Sequence, residues 1–221
     1  YKVKSYKNMA NLGKTAPFTM FDGNSFRDLN KNGRLDTYED VRRSIDDRVD
    51  NLVSQMNVEE KAGLMFITMI LINEDGSPVE RPTPANPFSF MVSTNSNMIA
   101  GRLMNHFNIL QSFSPSIIAS WHNQVQEMAE RTRLGIPITI ASDLRHSFTK
   151  NPAAMVAAGN FSQWCDPLGL AAIRDPNFVV IFGDIARQEY LAIGIRLALH
   201  PMADLATEPR WARIIGTFGE D

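Results

Sequence analysis

The sequence predicts an α/β fold in which parallel strands are joined by crossover helices. Short apolar runs typical of buried strands alternate with longer segments in which apolar residues recur every three or four positions. Two of those helical segments begin with a capping residue followed by proline, at Ser114-Pro115 and Asp175-Pro176. Alternation of this kind over 221 residues favours parallel strands, because each parallel connection needs a crossover of a dozen or more residues.

Composition excludes several classes of protein. Hydrophobic residues make up 44% and charged residues 21% of the chain, and the formal net charge is −2, so nothing favours nucleic acid or a membrane surface as a partner. The longest strongly apolar stretch, 63–72, is shorter than the ~20 residues of a membrane-spanning helix. The single cysteine, Cys165, rules out an internal disulfide, and its surroundings favour a small buried side chain over a nucleophile.

The first motif along the chain is an EF-hand-like calcium loop at 28–39. Every constrained position fits the twelve-residue pattern, including Gly33 for the sharp turn and Leu35 as the apolar residue. The predicted ligands are the side chains of Asp28, Asn30, Asn32, Asp36 and Glu39 and the carbonyl of Arg34. The alternative is a metal-free surface turn rich in Asn, Asp and Gly. Because residues 17–27 lack helical periodicity, we expect a structural clip with one exiting helix, not a sensor.

The pattern becomes helical from Glu39 onward. Its apolar positions have three- and four-residue spacing and are Val41, Ile45, Val49, Leu52, Val53 and Met56. Asn57 followed by Glu60 resembles a capping box and predicts a short second helix. The apolar run 64–72 then predicts a buried strand, and a helix leading into a buried strand is what an α/β barrel requires.

The middle of the chain contains a proline-rich loop at 73–87, and the second half of 98–110 is predicted as a strand containing His106. A helix is predicted from Ser114 to Leu134-Gly135, followed by a strand over 137–142. The inner face of that helix is formed by Ile118, Trp121, Val125 and Met128.

The last predicted helix begins at Asp175-Pro176 and continues to about Ile193, where Gly194 ends it. Its core face is predicted to consist of Phe178, Ile181, Phe182 and Ile185. A strand over 195–200 follows.

Charged residues follow two of the predicted strands, in the loops 142–146 and 202–213. In α/β barrels functional residues gather at the carboxyl ends of strands. An ionised aspartate accepts hydrogen bonds from two adjacent hydroxyl groups and an arginine donates through a planar fork, a combination that suits a sugar ring. The alternatives are structural: Arg210 and Arg213 would bridge acidic loop residues, and His146 and His200 would be ordinary hydrogen-bonded histidines.

From Ile45 onward the chain resembles the N-terminal (β/α)8 domain of glycoside hydrolase family 3 β-glucosidases, over about 80% of its length. The shared landmarks, in order, are Val58–Lys61, Arg133–Pro137, Ser142-Asp143, Gly169–Pro176, Pro209–Arg213 and Phe218–Asp221. The resemblance implies the N-terminal portion of a TIM-type barrel at 45–221, incomplete in this chain, after an N-terminal extension at 1–44 that carries the calcium loop.

Three further strings, 121–123, 187–190 and 206–213, resemble one bacterial subgroup of that family. The subgroup includes secreted enzymes that remove glucose from glucosylated macrolide antibiotics. The resemblance therefore implies an extracellular or periplasmic location.

Carried over residue by residue, Asp143 and Arg213 match side chains that bind the sugar in the −1 subsite, and His146 is a further candidate for substrate binding. Arg210 and Trp211 are expected to shape their loop. Two departures stand out: Leu144 occupies a position where proline is frequent, and Trp164-Cys165-Asp166 replaces a common Trp-Pro-Glu.

Members of the family are retaining glycosidases with two carboxyl groups about 5–5.5 Å apart. The resemblance implies that the nucleophile and the acid/base lie outside this chain, so Asp143, Asp204 and Glu208 are not assigned those roles and the chain alone is expected to be inactive. The expected partners are a β-glucoside or oligosaccharide substrate and the remainder of the same enzyme, in the same or a second chain. The reaction needs no organic cofactor, and calcium is expected to be structural.

Three alternatives stay open. The first is a non-catalytic, calcium-stabilised carbohydrate-binding fragment. The second is the same fold acting on β-xylosides or N-acetylglucosaminides. The third is a calcium sensor, which would expose apolar surface on binding the ion.

Overall fold

The computed structural model describes residues 12–84, 86–150 and 158–220 and has a mixed α/β fold with parallel strands. The helices are α1 (Ile45–Gln55), α2 (Val58–Leu64), α3 (Pro115–Glu130), α4 (Pro167–Ile173) and α5 (Pro176–Ala192). The strands are β1 (Phe18–Phe21), β2 (Asn24–Arg27), β3 (Ile67–Met69), β4 (His106–Ile109), β5 (Thr139–Ser142) and β6 (Ile195–Ala198).

The chain forms two compact units. Of the described residues, unit 1 contains those up to Ile70 together with those of Pro78–Phe107 and Asn123–Ile138. Unit 2 contains Leu71–Ser77, Asn108–His122 and the described residues from Thr139 onward. Residues 1–11 of the predicted extension and Asp221 of the last family landmark lie outside the described residues.

In unit 1, α1 begins later than predicted. Ser44 is its N-cap, and the Ser44 hydroxyl accepts a hydrogen bond from Asp47 N at 3.1 Å. Val41 therefore lies outside the helix and is 79% exposed, which corrects the prediction of helix from Glu39. The reason is local: Asp40 accepts hydrogen bonds from the backbone and the guanidinium of Arg42, and this turn precedes the cap.

The capping box at the start of α2 is confirmed. Glu60 N donates to Asn57 Oδ1 at 2.8 Å, and Asn57 N donates to Glu60 Oε2 at 3.0 Å. The helix extends to Leu64, so the strand predicted from that residue is shorter and starts at Ile67. The segment that follows is apolar and buried at Ile70 and Ile72.

The hairpin of β1 and β2 was not predicted. It turns at Asp22-Gly23, and both residues have positive φ, at 49° and 75°. An Asp-Gly pair is the typical sequence for such a turn, because both central residues of a type I′ turn need positive φ. The signal was present in the sequence, but the flanking residues alternate too weakly to reveal the strands.

The predicted start and inner face of α3 are confirmed. Ser114 Oγ accepts from Ile117 N, and the four predicted inward residues are all buried. The helix ends at Glu130, earlier than predicted, and Gly135 adopts positive φ a few residues later.

In unit 2, β5 and β6 pair in parallel, with Ile140 opposite Ile195 and Ser142 opposite Ala198. The crossover between them contains α4, which was not predicted, and α5, which was. This confirms the expected α/β class with a parallel sheet. Closure into a barrel and the domain boundary at residue 44/45 stay predictions.

The caps of α5 are also confirmed. Asp175 accepts from Asn177 N at 3.0 Å, and Gly194 follows the helix with φ of +87°. The inward stripe passes through Phe182, Ala186 and Tyr190, at spacings of four. Ile181 lies one position off that stripe and is 55% exposed, so its placement on the core face was wrong.

No helix in the described ranges is both long and apolar enough to span a lipid bilayer.

Candidate functional site

The carboxyl ends of β4, β5 and β6 lie side by side in unit 2. Asp143 N donates to Ile109 O at 3.4 Å, and Leu199 N donates to Ser142 O at 3.1 Å. The parallel pairing therefore brings the residues after β5 next to those after β6, and this edge is where α/β folds carry functional side chains.

The loop after β5 begins with a tight turn around Leu144. Leu144 N donates to Ser142 Oγ at 3.0 Å, and both residues are fully buried. This gives the unusual leucine a role, because a proline at position 144 would have no N–H to make that bond. Asp143, between the two, is half-buried.

The Leu144 carbonyl is held from two sides. Tyr190 Oη on α5 donates to Leu144 O, and His200 Nε2 lies 3.2 Å from the same oxygen. Tyr190 Oη and His200 Nε2 are 2.6 Å apart. Burial and the nearby Arg145 lower the pKa of His200, while burial raises the pKa of Tyr190, so both groups are neutral near pH 7.

His146 lies inside an aromatic pocket. Its ring stacks on Phe161 with centroids 4.6 Å apart and meets Tyr190 edge-on at 4.8 Å. Nε2 lies 3.0 Å from Oε2 of Glu189, but off the direction of a hydrogen bond, and neither ring nitrogen has a hydrogen-bond partner among the described residues. Burial lowers the pKa of His146, and Glu189 opposes that shift. With 1% of its surface exposed, His146 is placed better for packing than for direct contact with a sugar.

Arg145 lies close to the turn that follows the second predicted loop. Its Nη1 would lie 3.1 Å from a Cβ added at Gly216, and Gly216 O accepts from Met202 N at 3.2 Å. Arg145 Nε is buried and has no hydrogen-bond partner among the described residues. A buried guanidinium N–H left unpaired is costly, and such a group is expected where a polar ligand binds.

Arg213 is on the surface of the second loop. Its side chain is exposed, and its carbonyl accepts from Gly216 N at 3.0 Å at the start of a short 3-10 turn, Ile214–Gly216. Asp143, Arg145 and His146 lie on one loop, and Arg213 lies just before the turn at Gly216, which Arg145 approaches.

Arg210 and Glu208 form an ion pair within that loop. Arg210 Nε donates to Glu208 Oε1 at 2.8 Å, and this bond lowers the pKa of Glu208 to about 2. The pairing accounts for Arg210 as a residue that shapes the loop. A carboxyl group with such a low pKa is also unsuited to act as a general acid.

The unusual Trp164-Cys165-Asp166 string ties the β5 loop to α4. Asp166 accepts hydrogen bonds from the hydroxyl groups of Ser147 and Thr149. Trp164 N donates to His146 O at 3.0 Å, and Cys165 is a half-buried free thiol packed against Gly169. These hydrogen bonds fix the loop after β5 in a chain that has Cys165 where a proline is common.

The calcium-type loop of unit 1 has its ends tied by two buried carboxylates. Asp28 accepts from Asn32 N at 3.0 Å and from Gly33 N at 2.8 Å. Glu39 Oε1 accepts from Leu29 N at 2.6 Å, and Oε2 accepts from Asp36 N at 3.0 Å. The first and last ligand positions of the motif are therefore already in place, and Gly33 makes the sharp turn with φ of +77°.

In the middle of the calcium-type loop the predicted ligands bind one another. The amide groups of Asn30 and Asn32 both donate to Asp36 Oδ2 at 2.7 Å, and Arg34 is exposed. In the described part of the chain no three His, Cys, Asp or Glu side chains are gathered as a metal site would require. The donor set itself, carboxylate, amide and carbonyl oxygens, fits calcium.

The loop is anchored to the end of α3. Lys31 Nζ donates to Thr132 O at 2.6 Å and also to Glu130 O, and Tyr38 Oη donates to Leu134 O at 3.2 Å. The last carbonyls of a helix lack intrahelical partners, and a cation there is favourable. The loop therefore caps this helix end.

Sequence reasoning did not identify Arg145, Glu189 or Tyr190 as parts of the site, and it treated His200 as an ordinary histidine. Tyr190 is separated from β5 by more than forty residues, so only the tertiary fold brings it to Leu144. The sequence signal that includes Tyr190 is the string 187–190, and it indicates a resemblance to a subgroup of the family without assigning a role to Tyr190.

Comparison with known proteins gives a family match. The model described as "Glycosyl hydrolase family 3 N terminal domain" matches residues 96–221, which include both predicted loops.

Three curated relatives are similar over most of the chain. "Probable beta-glucosidase C" of Aspergillus oryzae is 45% identical over 86% of this chain and 29% of its own length. "Periplasmic beta-glucosidase/beta-xylosidase" of Dickeya chrysanthemi is 44% identical over 93% of the chain and 31% of its own length. "Beta-glucosidase C" of Emericella nidulans is 44% identical over 88% of the chain and 30% of its own length. The chain thus spans about three tenths of the length of these relatives, which come from fungi as well as a bacterium.

Proposed function

Because the chain belongs to glycosyl hydrolase family 3, we propose that the complete protein is a retaining, exo-acting β-glucosidase that hydrolyses terminal β-glucosides. The observation that supports this most is the parallel β5–β6 pair, which holds Asp143 at the carboxyl edge of the sheet in a braced loop. The names of all three relatives described above contain "beta-glucosidase", which agrees with that substrate class.

In this proposal the chain supplies part of the −1 subsite. Asp143 accepts hydrogen bonds from sugar hydroxyls, and the exposed Arg213 donates from the neighbouring loop. The buried, unpaired Nε of Arg145 adds a donor beside them. Glycosidases of this type gain several kcal/mol from hydroxyl contacts that strengthen in the transition state.

The nucleophile and the acid/base are proposed to lie outside the printed sequence. The ion pair with Arg210 stabilises the carboxylate of Glu208 and lowers its pKa, which is unfavourable for a general acid. The carboxylates of this chain therefore bind and orient the sugar, and the bond-breaking groups come from the rest of the protein.

The test is a panel of aryl glycosides assayed with the full-length protein. Hydrolysis of β-glucosides with release of β-glucose as first product is expected, since a retaining enzyme conserves the anomeric configuration. Release of α-glucose, or binding of glucosides without any hydrolysis, would contradict the proposal; the second result would point to a carbohydrate-binding protein.

A second substrate class is supported by one of the relatives, whose name also contains "beta-xylosidase". A xyloside lacks the hydroxymethyl group of a glucoside, so a subsite that tolerates its absence would accept both. The ratio of kcat/KM for matched aryl β-glucosides and β-xylosides decides between them, and N-acetylglucosaminides complete the panel.

We also propose that the loop 28–39 binds one structural calcium ion. Asp28, Asn30, Asn32, Asp36 and Glu39 would hold it with the carbonyl of Arg34, and the ion would supply charge that offsets the buried carboxylates. Support comes from the two end carboxylates, which are buried and fixed by backbone N–H groups. Calorimetric titration of the metal-stripped protein with Ca²⁺ tests this; no heat of binding at millimolar calcium would reject it.

An extracellular or periplasmic location fits these proposals. One relative is named as periplasmic, and isolated calcium loops of modest affinity are filled most easily where calcium is abundant. Fractionation of the native cells, followed by detection of the protein with an antibody, tests the location.

A further inference from the structure

The carbonyl of Leu144 lies in the loop between Asp143 and Arg145, and two side chains from elsewhere in unit 2 converge on it. Tyr190 comes from the last turn of α5, and His200 follows β6. Both side chains also contact each other, at 2.6 Å between Oη and Nε2. The conformation of this loop is therefore fixed by two side chains that lie outside the loop.

We propose that Tyr190 and His200 are positioning residues that hold the Leu144 carbonyl, and with it the loop after Asp143, so that the Asp143 carboxylate faces the sugar. This inference rests on the proposed role of Asp143 in substrate binding. Neither side chain needs to touch the substrate; each acts through the Leu144 carbonyl.

The local geometry leaves Leu144 little freedom. Its N–H is bound to Ser142 Oγ, its carbonyl contacts Tyr190 and His200, and its side chain is fully buried. If the two outer contacts are lost, the buried carbonyl keeps only the long bond from Ser142 Oγ at 3.4 Å, and the Leu144–Arg145 peptide can rotate to find other partners. A shift of about 1 Å in a binding group can cost on the order of 100-fold in rate.

The proton arrangement follows from the acceptor. A carbonyl only accepts, so the Tyr190 O–H donates to Leu144 O, and the single Nε2–H of His200 is shared between Tyr190 Oη at 2.6 Å and Leu144 O at 3.2 Å. His200 is then a neutral imidazole with its proton on Nε2. The lowered pKa of His200, caused first by burial and then by Arg145, agrees with a neutral ring.

The experiment compares Tyr190→Phe, His200→Gln and His200→Leu in the full-length protein, with 4-nitrophenyl β-glucoside as the probe. Tyr190→Phe and His200→Leu are expected to raise KM about 5- to 30-fold, the effect of losing a buried hydrogen bond. His200→Gln is expected to stay near the parent value, because the glutamine amide places an N–H close to the position of Nε2. KM is the chosen readout because a variant that merely folds less well loses active molecules without changing KM.

Thr132→Val is the matched control. Thr132 Oγ1 also donates to a backbone carbonyl, that of Ala129 at 2.6 Å, but in unit 1 and without a bond to the Asp143 loop. It is expected to lower thermal stability by an amount comparable to Tyr190→Phe and to leave KM unchanged.

A double-mutant cycle separates this inference from the function on which it rests. If Tyr190 acts only through Asp143, Tyr190→Phe should change kcat/KM less than twofold in an Asp143→Ala background, since effects that share one route are not additive. An Asp143→Ala variant of normal activity would defeat the proposed function. A strong Asp143→Ala effect combined with an unchanged KM in Tyr190→Phe and His200→Leu, or with fully additive losses, would overturn the positioning role alone.

Discussion

Glu60 and Arg133 form an ion pair that joins two of the family landmarks. Arg133 Nε donates to Glu60 Oε1 at 3.0 Å, and Arg133 Nη2 donates to Gln55 O at 2.9 Å. The same carboxylate closes the capping box of α2 through Asn57 N. One buried side chain therefore caps a helix and holds the segment that leads to β5.

Replacing Glu60 is expected to destabilise the protein. Glu60→Ala leaves the Arg133 guanidinium and Asn57 N without their acceptor, at a cost of about 2 kcal/mol in the free energy of unfolding. Glu59→Ala is the control, because Glu59 is an exposed neighbour in the same helix. Denaturation of both variants in urea measures the difference, and equal midpoints would show that the pair contributes nothing.

Two helical glycines should respond oppositely to alanine. A Cβ at Gly63 in α2 would lie 2.1 Å from Leu103 O, an overlap with backbone that requires movement of a helix or loop. At Gly183 in α5 nothing lies within 4 Å of the added Cβ. Gly63→Ala is expected to lower stability by about 1–3 kcal/mol, and Gly183→Ala to raise it by up to about 1 kcal/mol. Thermal melts measure the sign of the stability change in both variants. A Gly63→Ala variant more stable than the parent would contradict the close approach of Leu103 O to Gly63.

Stability is expected to fall on mild acidification. Burial lowers the pKa of His122, His146 and His200, so each takes up a proton more readily in the unfolded chain, near pH 6.5, than in the folded one. Below that pH the unfolded state binds more protons than the folded state, so the free energy of unfolding decreases as the pH falls. Each histidine contributes at most about 1.4 kcal/mol per pH unit to this decrease.

Urea denaturation between pH 7.5 and 5 measures this slope. His146→Phe should flatten it, because the aromatic pocket around Phe161 accepts an apolar ring that does not titrate. A slope unchanged by that substitution would mean that His146 has the same pKa in the folded and unfolded states, and would contradict the lowering of its pKa by burial.

The calcium proposal predicts a specific loss in Glu39→Gln. Glu39 occupies the last ligand position and also accepts from Leu29 N and Asp36 N, so a neutral amide weakens both the ion site and the loop. The parent protein should melt at a higher temperature in millimolar Ca²⁺ than in chelator, and Glu39→Gln should lose that difference. Asp50→Asn, on an exposed face of α1, should keep it.

Local sequence signals predicted the parts of the fold that depend on local interactions. The caps at Asn57, Ser114 and Asp175 and the inward face of α3 are confirmed, because capping and helical periodicity are properties of neighbouring residues. The start of α1 was missed because Asp40 and Arg42 form a competing turn. The hairpin at 18–27 was missed because its strands are short and exposed.

The candidate site was less accessible to sequence reasoning. Asp143 was found from its position after a strand, and the family resemblance supported it. Tyr190 and His200 could not be assigned, since their role depends on one backbone carbonyl that is distant in sequence. His146 was proposed as a sugar contact, but the aromatic rings packed around it leave it almost no exposed surface.

The most direct test of this account is kcat/KM for an aryl β-glucoside in full-length Asp143→Ala, with Asp184→Ala as the control. Asp184 is an exposed carboxylate of α5 that pairs with Arg187. We expect Asp143→Ala to lower kcat/KM by about 100-fold or more, because contacts to sugar hydroxyls strengthen in the transition state, and Asp184→Ala to remain near the parent value. A correctly folded Asp143→Ala enzyme with near-normal kcat/KM would contradict the assignment of this edge of the sheet as the sugar site.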